Sequence, residues 1–198
     1  MDQSKLYHEG NRALQDQFGS RALADRLEEK LRRSVFTEED AAFIAAQGFF
    51  FLATADAEGR PDCSFKGGAP GFARVAAPDL LVWPDYDGNG MFKSLGNLRA
   101  NPNAGLLFIA MEETPRRLRV NGTVSLSFDD PLLESTPGAQ LLVRLTPTDI
   151  FPNCPRYIPR MQVLERSEYI PCAGAEPVEP KWKSFEMFAD VVPPRARP

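Results

Sequence analysis

Residues 83–102, WPDYDGNGMFKSLGNLRANP, constrain the fold of this chain more than any other stretch. The segment starts with the apolar end of a strand, continues through turn residues and then has the spacing of a short amphipathic helix that stops at Asn101-Pro102. We predict Asn89 as the N-cap of this helix. Its predicted apolar face consists of Met91, Phe92, Leu95 and Leu98. Because another apolar run follows at 104–110, the helix is inserted between two strands.

The start of this helix is a candidate anion site. Lys93 and Ser94 fall in or just after the predicted first turn, where free backbone N–H groups and the helix dipole favour negative charge. A mobile ammonium and a hydroxyl beside those groups suit a phosphate dianion. The competing interpretation is a surface helix with a solvated lysine, and the surrounding sequence has to decide between the two.

Short apolar runs separated by turn residues account for most of the remaining chain. We predict two helices within 6–33, a helix from Thr37 to Gly48, and strands at 49–55, 60–66, 72–75, 80–83, 104–110, 118–126 and 141–146. The predicted fold is mainly β with α: a six- to seven-stranded antiparallel split β-barrel with N-terminal helices and one inserted helix. The predicted organisation is an N-terminal helical extension (1–36), a barrel domain (37–165) and an extended Pro-rich tail (166–198).

Composition excludes several classes of function. With 23 basic and 27 acidic residues, a net charge of −4, the chain has no global signal for nucleic acid or an anionic membrane surface. Three cysteines without a close pair argue against a disulfide framework or a zinc site. The first residues lack the pattern of a secretory signal, and the longest apolar stretch is too short for a bilayer span. We therefore expect a cytoplasmic protein without a metal site.

The order of these features resembles the pyridoxamine 5′-phosphate oxidase-like family of FMN-binding split barrels. The segments that carry the resemblance are FFFLATADAEGRPDCSFKGG, PGFARV, LLVWPDY, GNGMFKSLGNLRANP, AGLLFI, RRLRVNGTV and LTPTDIFPNCPRYI. The resemblance implies a homodimer that binds one FMN at each of two sites in the subunit interface. The helix segment here is Met-Phe-Lys-Ser, so one of the two cations usual in the family is missing.

The resemblance also implies which residues contact FMN. Either Lys66 or Arg74 is expected at the phosphate, and Arg117 or Arg119 near the flavin ring; alternatively, Arg116, Arg117 and Arg119 pair with Glu112 and Glu113 at a solvated edge. The other residues carried over from the family are Trp83, Pro84, Asp85, Asn89, Met91, Lys93 and Ser94.

Three functions remain open at this stage. The first is an FMN-dependent oxidoreductase of unassigned substrate, with hydride transfer at flavin N5 and no catalytic side chain that we can name. The second is a flavin-binding or storage protein without turnover, and the third is a split barrel that binds haem or a deazaflavin. The tail has no convincing version of the C-terminal Trp and Arg motif of the true oxidases, which argues against vitamin B6 oxidation. An N-terminal extension similar to 7–27 occurs beside flavin reductase modules, so a reductase partner is conceivable.

Overall fold

A computed structural model describes residues 6–112 and 114–193. Its helices are α1 (Glu9–Gln17), α2 (Arg21–Leu31), α3 (Glu38–Ala46) and α4 (Lys93–Ala100). Its strands are β1 (Phe49–Ala55), β2 (Pro61–Gly67), β3 (Arg74–Ala77), β4 (Leu80–Tyr86), β5 (Asn103–Ala110), β6 (Arg116–Ser127) and β7 (Ala139–Asn153). Two short 3-10 turns lie at Pro131–Leu133 and Lys181–Ser184.

All seven strands form one antiparallel sheet in the order β2-β1-β5-β6-β7-β4-β3. The sheet curls around one core, in which the ring of Phe50 from β1 lies 5.5 Å from Trp83 of β4 and 5.0 Å from Phe108 of β5. The register of β6 against β7 shifts between Asn121 and Gly122. A Cβ at Gly122 would lie 2.3 Å from the Thr146 carbonyl oxygen, so only glycine allows this close approach. The predicted antiparallel split barrel is confirmed.

The predicted helices are present, with differences at their ends and faces. Thr37 caps α3 through a capping box with Asp40, as its acidic first turn indicates. Helices α1 and α2 form the predicted pair, but their leucines do not build a core: α1 buries no residue and α2 buries only Ala24. No helix in the two described ranges combines the length and the apolar character that a membrane crossing requires.

The last strand is much longer than predicted. β7 extends to Asn153 because its first half pairs with β4 while β6 accompanies it along nearly its whole length. Beyond the N-terminal end of β4, at Leu80, Ile150 exchanges two backbone hydrogen bonds with Arg33, of 2.9 and 2.7 Å. The segment after α2 therefore satisfies backbone groups that β4 does not reach.

Helix α4 is inserted between β4 and β5 as predicted, but it begins later. Its N-cap is Phe92, in the left-handed region with φ 47°, and its first residue is Lys93. The prediction of Asn89 as N-cap is wrong, because Asn89 Oδ1 accepts from the Met91 amide inside the preceding turn. Met91 and Phe92 precede the helix and are exposed, so the apolar face consists of Leu95 and Leu98 alone.

Candidate functional site

Strand β2 carries polar side chains on its inner face, where a strand of a barrel ordinarily carries apolar ones. Asp62, Ser64 and Lys66, hereafter the polar row, are half-buried, while Pro61, Cys63 and Phe65, which alternate with them, are exposed. Their partners across the β1–β2 ladder are Thr54, Leu52 and Phe50, all buried on the inner face of the sheet. Because directly opposite residues share a face, the polar row points towards the inside of the barrel. At about 3.3 Å per residue, it is roughly 13 Å long from Asp62 to Lys66.

The N-terminus of α4 packs against one end of the polar row. Ser94, only 6% exposed, has its Oγ 3.5 Å from a carboxylate oxygen of Asp62. Asn97, equally buried, donates from Nδ2 to the Thr54 hydroxyl over 3.0 Å. The exposed Lys93 extends its Nζ to 3.5 Å from Asn97 Oδ1. These contacts fix the first turn of the helix against the sheet and leave the ammonium group at the surface.

The first-turn amides of α4 are not capped by a side chain. Phe92 has no polar side-chain atom, and no side-chain hydrogen bond caps this helix start. Each α-helix begins with N–H groups that have no partner within the helix. Here they lie beside Lys93 and Ser94, so the start of α4 offers donors and positive potential to an anion.

The end of β4 also brings a polar side chain, Asp85, to the inner face of the sheet. Trp83 is 1% exposed in the barrel core and Pro84 is buried, so neither side chain is available to a ligand. Asp85 is half-buried, and burial raises its pKa while the positive charge of Lys66 lowers it. The charge of Lys66 therefore acts on the Asp85 carboxyl across the inside of the barrel. We call the inner-face region that comprises the polar row, the start of α4 and Asp85 the cleft.

Arg74 does not line the cleft. It pairs across the sheet with Val82, which faces away from the core residues Leu81 and Trp83. Its Nη2 lies 3.5 Å from Thr136 Oγ1. Burial raises the pKa of Tyr86, and the positive charge of Arg74 partly opposes that increase. Of the two cations that the sequence leaves open for the phosphate, the structure brings only Lys66 to the cleft.

Arg117 and Arg119 share one face of β6, as strand alternation predicts, but this is the outer face of the sheet. The Nε of Arg117 and the Oδ1 of its cross-strand neighbour Asn153 are buried without a hydrogen-bond partner among the described residues. Arg119 is exposed. The same outer face of the sheet also carries an apolar surface, which we call the outer aromatic face. It consists of Phe49, Phe51, Phe65, Leu107 and Ile109.

Of the three arginines in the solvated-edge alternative, Arg116 has an acidic partner on α3. Arg116 forms an ion pair of 2.9 Å with Glu39 and lies over the ring of Phe43, 4.5 Å from its centroid. Of the two proposed acidic partners, Glu112 is exposed and Glu113 lies outside the described residues. Strand β6 thus begins with one arginine bound to α3 and two on the outer face.

Sequence reasoning missed part of the cleft. Asp62 and Ser64 alternate with Lys66, a polar period of two that predicts one common face once β2 is taken as a strand. Thr54 and Asn97 gave no such signal. Their contact joins residues 43 positions apart and depends on how α4 docks against β1.

Solved structures with a similar fold include three bacterial proteins. HupZ from Group A Streptococcus is 18% identical, with a TM-score of 0.48 over 59% of this chain and 93% of that one. A putative pyridoxamine 5′-phosphate oxidase from Lactobacillus delbrueckii is 23% identical, with a TM-score of 0.45 over 60% and 95%. HutZ, the heme storage protein from Vibrio cholerae, is 21% identical, with a TM-score of 0.42 over 55% and 87%. These similarities are too low to carry an argument about function.

The comparison with curated proteins and the comparison with family models give different results. No curated protein matches the chain. The sequence model of the family described as pyridoxamine 5′-phosphate oxidase matches residues 36–165, which run from the residue before the α3 cap through the whole seven-stranded sheet and past its end. The chain therefore belongs to the pyridoxamine 5′-phosphate oxidase-like family.

Proposed function

We propose that this protein is an FMN-binding flavoprotein that holds the FMN phosphate at the start of α4. The observation that carries the proposal is the uncapped first turn of α4, with Lys93 and Ser94 beside its free amides. A phosphate dianion accepts hydrogen bonds from such amides and from an ammonium group, and charge-assisted bonds of this kind are about twice as strong as neutral ones. The matched family supports the choice of a phosphorylated flavin.

The remaining groups of the cleft fit the polar tail of FMN. The polar row continues from Ser94 for roughly 13 Å towards Lys66 and Asp85, so the cleft is elongated. Ionised carboxylates accept hydrogen bonds only, and the hydroxyl groups of a ribityl chain are suitable donors for Asp62 and Asp85. The phosphate then lies at the Lys93 end of the cleft. There the attraction of the helix amides offsets the electrostatic repulsion between the phosphate and the Asp62 carboxylate.

We further propose that the bound flavin serves an oxidoreductase reaction. FMN supplies hydride transfer at N5, and the chain contributes orientation and electrostatics. A guanidinium near the N1–C2 carbonyl edge stabilises reduced, anionic flavin, which is the role we assign to Arg117 or Arg119. Both arginines lie on the outer face, whereas the cleft opens on the inner face. They therefore reach a flavin only if a second copy of the chain brings them to it.

A homodimer through the outer aromatic face meets this requirement. Phe49 stacks on Phe65 at 5.3 Å between centroids, and Phe65 is 61% exposed. A contiguous aromatic surface of this kind favours association. The unpaired Arg117 Nε and Asn153 Oδ1 lie on the same side of the sheet and would find partners in the second copy or its flavin.

The alternative functions differ in ligand or in turnover. Ordinary haem ligation by histidine has only His8 to use, and its Nδ1 accepts from the Gly10 amide as the cap of α1. A deazaflavin would occupy the same phosphate site. A storage protein would bind FMN in the same way but would leave no room for a substrate to react with the flavin ring.

Identification of the chromophore after mild purification tests the proposal. We expect a flavin spectrum, release of FMN on denaturation, and a dimer by light scattering. Bleaching by NADH or NADPH followed by reoxidation with an acceptor would support an enzyme over a store. A haem spectrum, a deazaflavin, or a protein that does not bind added FMN would overturn the assignment.

We also propose a cytoplasmic location and, as a possible electron donor, a flavin reductase partner. The three cysteines, Cys63, Cys154 and Cys172, are free and exposed, which suits a reducing compartment. Reduction of the bound flavin by a purified reductase tests the partnership. Cell fractionation tests the location.

A further inference from the structure

The C-terminal segment is attached to the loop that leads into α4. Lys183, in the 3-10 turn Lys181–Ser184, places its Nζ 2.5 Å from Asp87 Oδ2. The Lys183 and Asp87 side chains are only 12% and 25% exposed. Removing one partner from a shielded pair leaves a poorly solvated charge, so such a pair holds its segments together better than a surface ion pair does.

A second contact keeps the C-terminal segment at the same end of the barrel. Pro171 packs on Gly138, where a Cβ would lie 2.6 Å from the proline ring, and the Tyr86 ring lies near the same position. Tyr86 is the last residue of β4 and Asp87 follows it directly. The segment therefore packs at the end of β4.

The loop that Lys183 holds has little to fix it otherwise. Residues 88–92 are all exposed, Gly90 has a positive φ of 75°, and Phe92 adopts φ 47°, which is uncommon for a residue with a side chain. This loop sets where the first turn of α4 begins. Because Ser94 and Asn97 hold the body of α4 against the sheet, a shift of the loop would move chiefly the amide groups at the helix start and the Lys93 side chain.

We propose that Lys183 is a positioning residue for the anion site: by binding Asp87 it fixes the loop 87–92 and thereby the first turn of α4. The consequence for FMN rests on the function proposed above, whereas the consequence for the loop does not. The C-terminal tail thus contributes to the cleft through the loop, without contacting the ligand.

Lys183→Met, which keeps the apolar stem and removes the charge, tests this role. Lys183→Arg and the exchanged pair Asp87→Lys with Lys183→Asp are the rescue variants, and Lys181→Met, an exposed lysine in the same turn, is the matched control. We expect Lys183→Met and Asp87→Asn to raise the Kd for FMN at least about threefold and to speed hydrogen exchange of residues 87–95 without ligand. The rescue variants should restore both quantities, and Lys181→Met should change neither.

The two readouts separate failure of this inference from failure of the proposed function. Unchanged exchange of 87–95 in both Lys183→Met and Asp87→Asn overturns the positioning role, whatever the ligand. Faster exchange in a protein whose wild type binds no FMN retains the positioning role and rejects the flavin. If Lys183→Met does not fold, Asp87→Asn and Lys183→Arg provide the same comparison.

Discussion

Lys66 and Asp85 both lie on the inner face of the sheet and interact electrostatically, although their strands are remote in the sheet order. β2 is one edge of the seven-stranded sheet and β4 is next to the other edge, yet the charge of Lys66 acts on the Asp85 carboxyl. The curl of the sheet brings these strands together. The cleft is therefore a property of the barrel as a whole.

Replacing Lys93 with alanine should weaken FMN binding at least about tenfold. Loss of a charge-assisted phosphate contact costs about 1.5–3 kcal/mol, and the α4 amides would remain. Flavin fluorescence titration at fixed ionic strength measures the effect. The control is Arg99→Ala, an exposed cation in the last turn of the same helix. Equal affinity for wild type and Lys93→Ala would remove Lys93 from the site.

Lys66 and Arg74 should differ in their effect on FMN, because they lie on opposite faces of the sheet. We expect Lys66→Met to reduce affinity at least about fivefold, equivalent to about 1 kcal/mol. Arg74→Met should leave affinity within about twofold. The same titration, with circular dichroism to verify folding, compares the pair. A larger loss in Arg74→Met than in Lys66→Met would contradict the assignment of the cleft.

The Asp85 carboxyl should make stability depend on pH. Burial raises its pKa above the ordinary value of 3.8, so the folded state favours the protonated form. Its contribution to stability is complete below the pKa of the unfolded chain and is lost as the pH rises through the higher folded pKa. Asp85→Asn should therefore gain stability relative to wild type as the pH rises from about 3.9 towards neutrality.

Urea unfolding across this pH range measures the difference. Asp79→Asn, in the exposed turn between β3 and β4, is the control and should follow the wild-type curve. A constant difference in the free energy of unfolding between Asp85→Asn and wild type would show that burial does not shift this group.

Phe65→Glu should dissociate the proposed dimer. Phe65 is 61% exposed, so a charge there costs little in the monomer but would be desolvated in an interface through the outer aromatic face. We expect the dimer Kd to rise at least about tenfold by sedimentation, equivalent to about 1.4 kcal/mol. Phe128→Glu, at a similarly exposed phenylalanine beyond β6, should leave the dimer intact. A dimer unaffected by Phe65→Glu would place the interface elsewhere.

Thr37→Ala should lower the free energy of unfolding by about 1 kcal/mol. The Thr37 side chain accepts from the Asp40 amide, and Asp40 in turn accepts from the Thr37 amide and from Arg33. Ser20 occupies the N-cap of α2 without a capping hydrogen bond, so Ser20→Ala is a matched control with little expected loss. Equal losses in the two variants would contradict the cap assignment.

Local patterns predicted most of the elements because they depend on neighbouring residues. The strand at 49–55, the hairpin after it and the Thr37 cap follow from apolar runs, turn residues and a capping box. The start of α4 was misplaced because Asn89 satisfies the N-cap preference but uses its oxygen in a turn of its own. Gly90 beside it, with φ 75°, supplies a backbone conformation that the periodicity of the helix does not reveal.

The sequence by itself determined the family, the order of strands and helices, and the position of Lys93 and Ser94 at a helix start. Only the tertiary structure decided that Lys66 shares a cleft with Asp85, that Arg74 lies on the other face, and that Lys183 binds Asp87. The physical reason is that helix and turn preferences act within a few residues. Which strands meet across a barrel depends on the twist, register and bulges of the whole sheet.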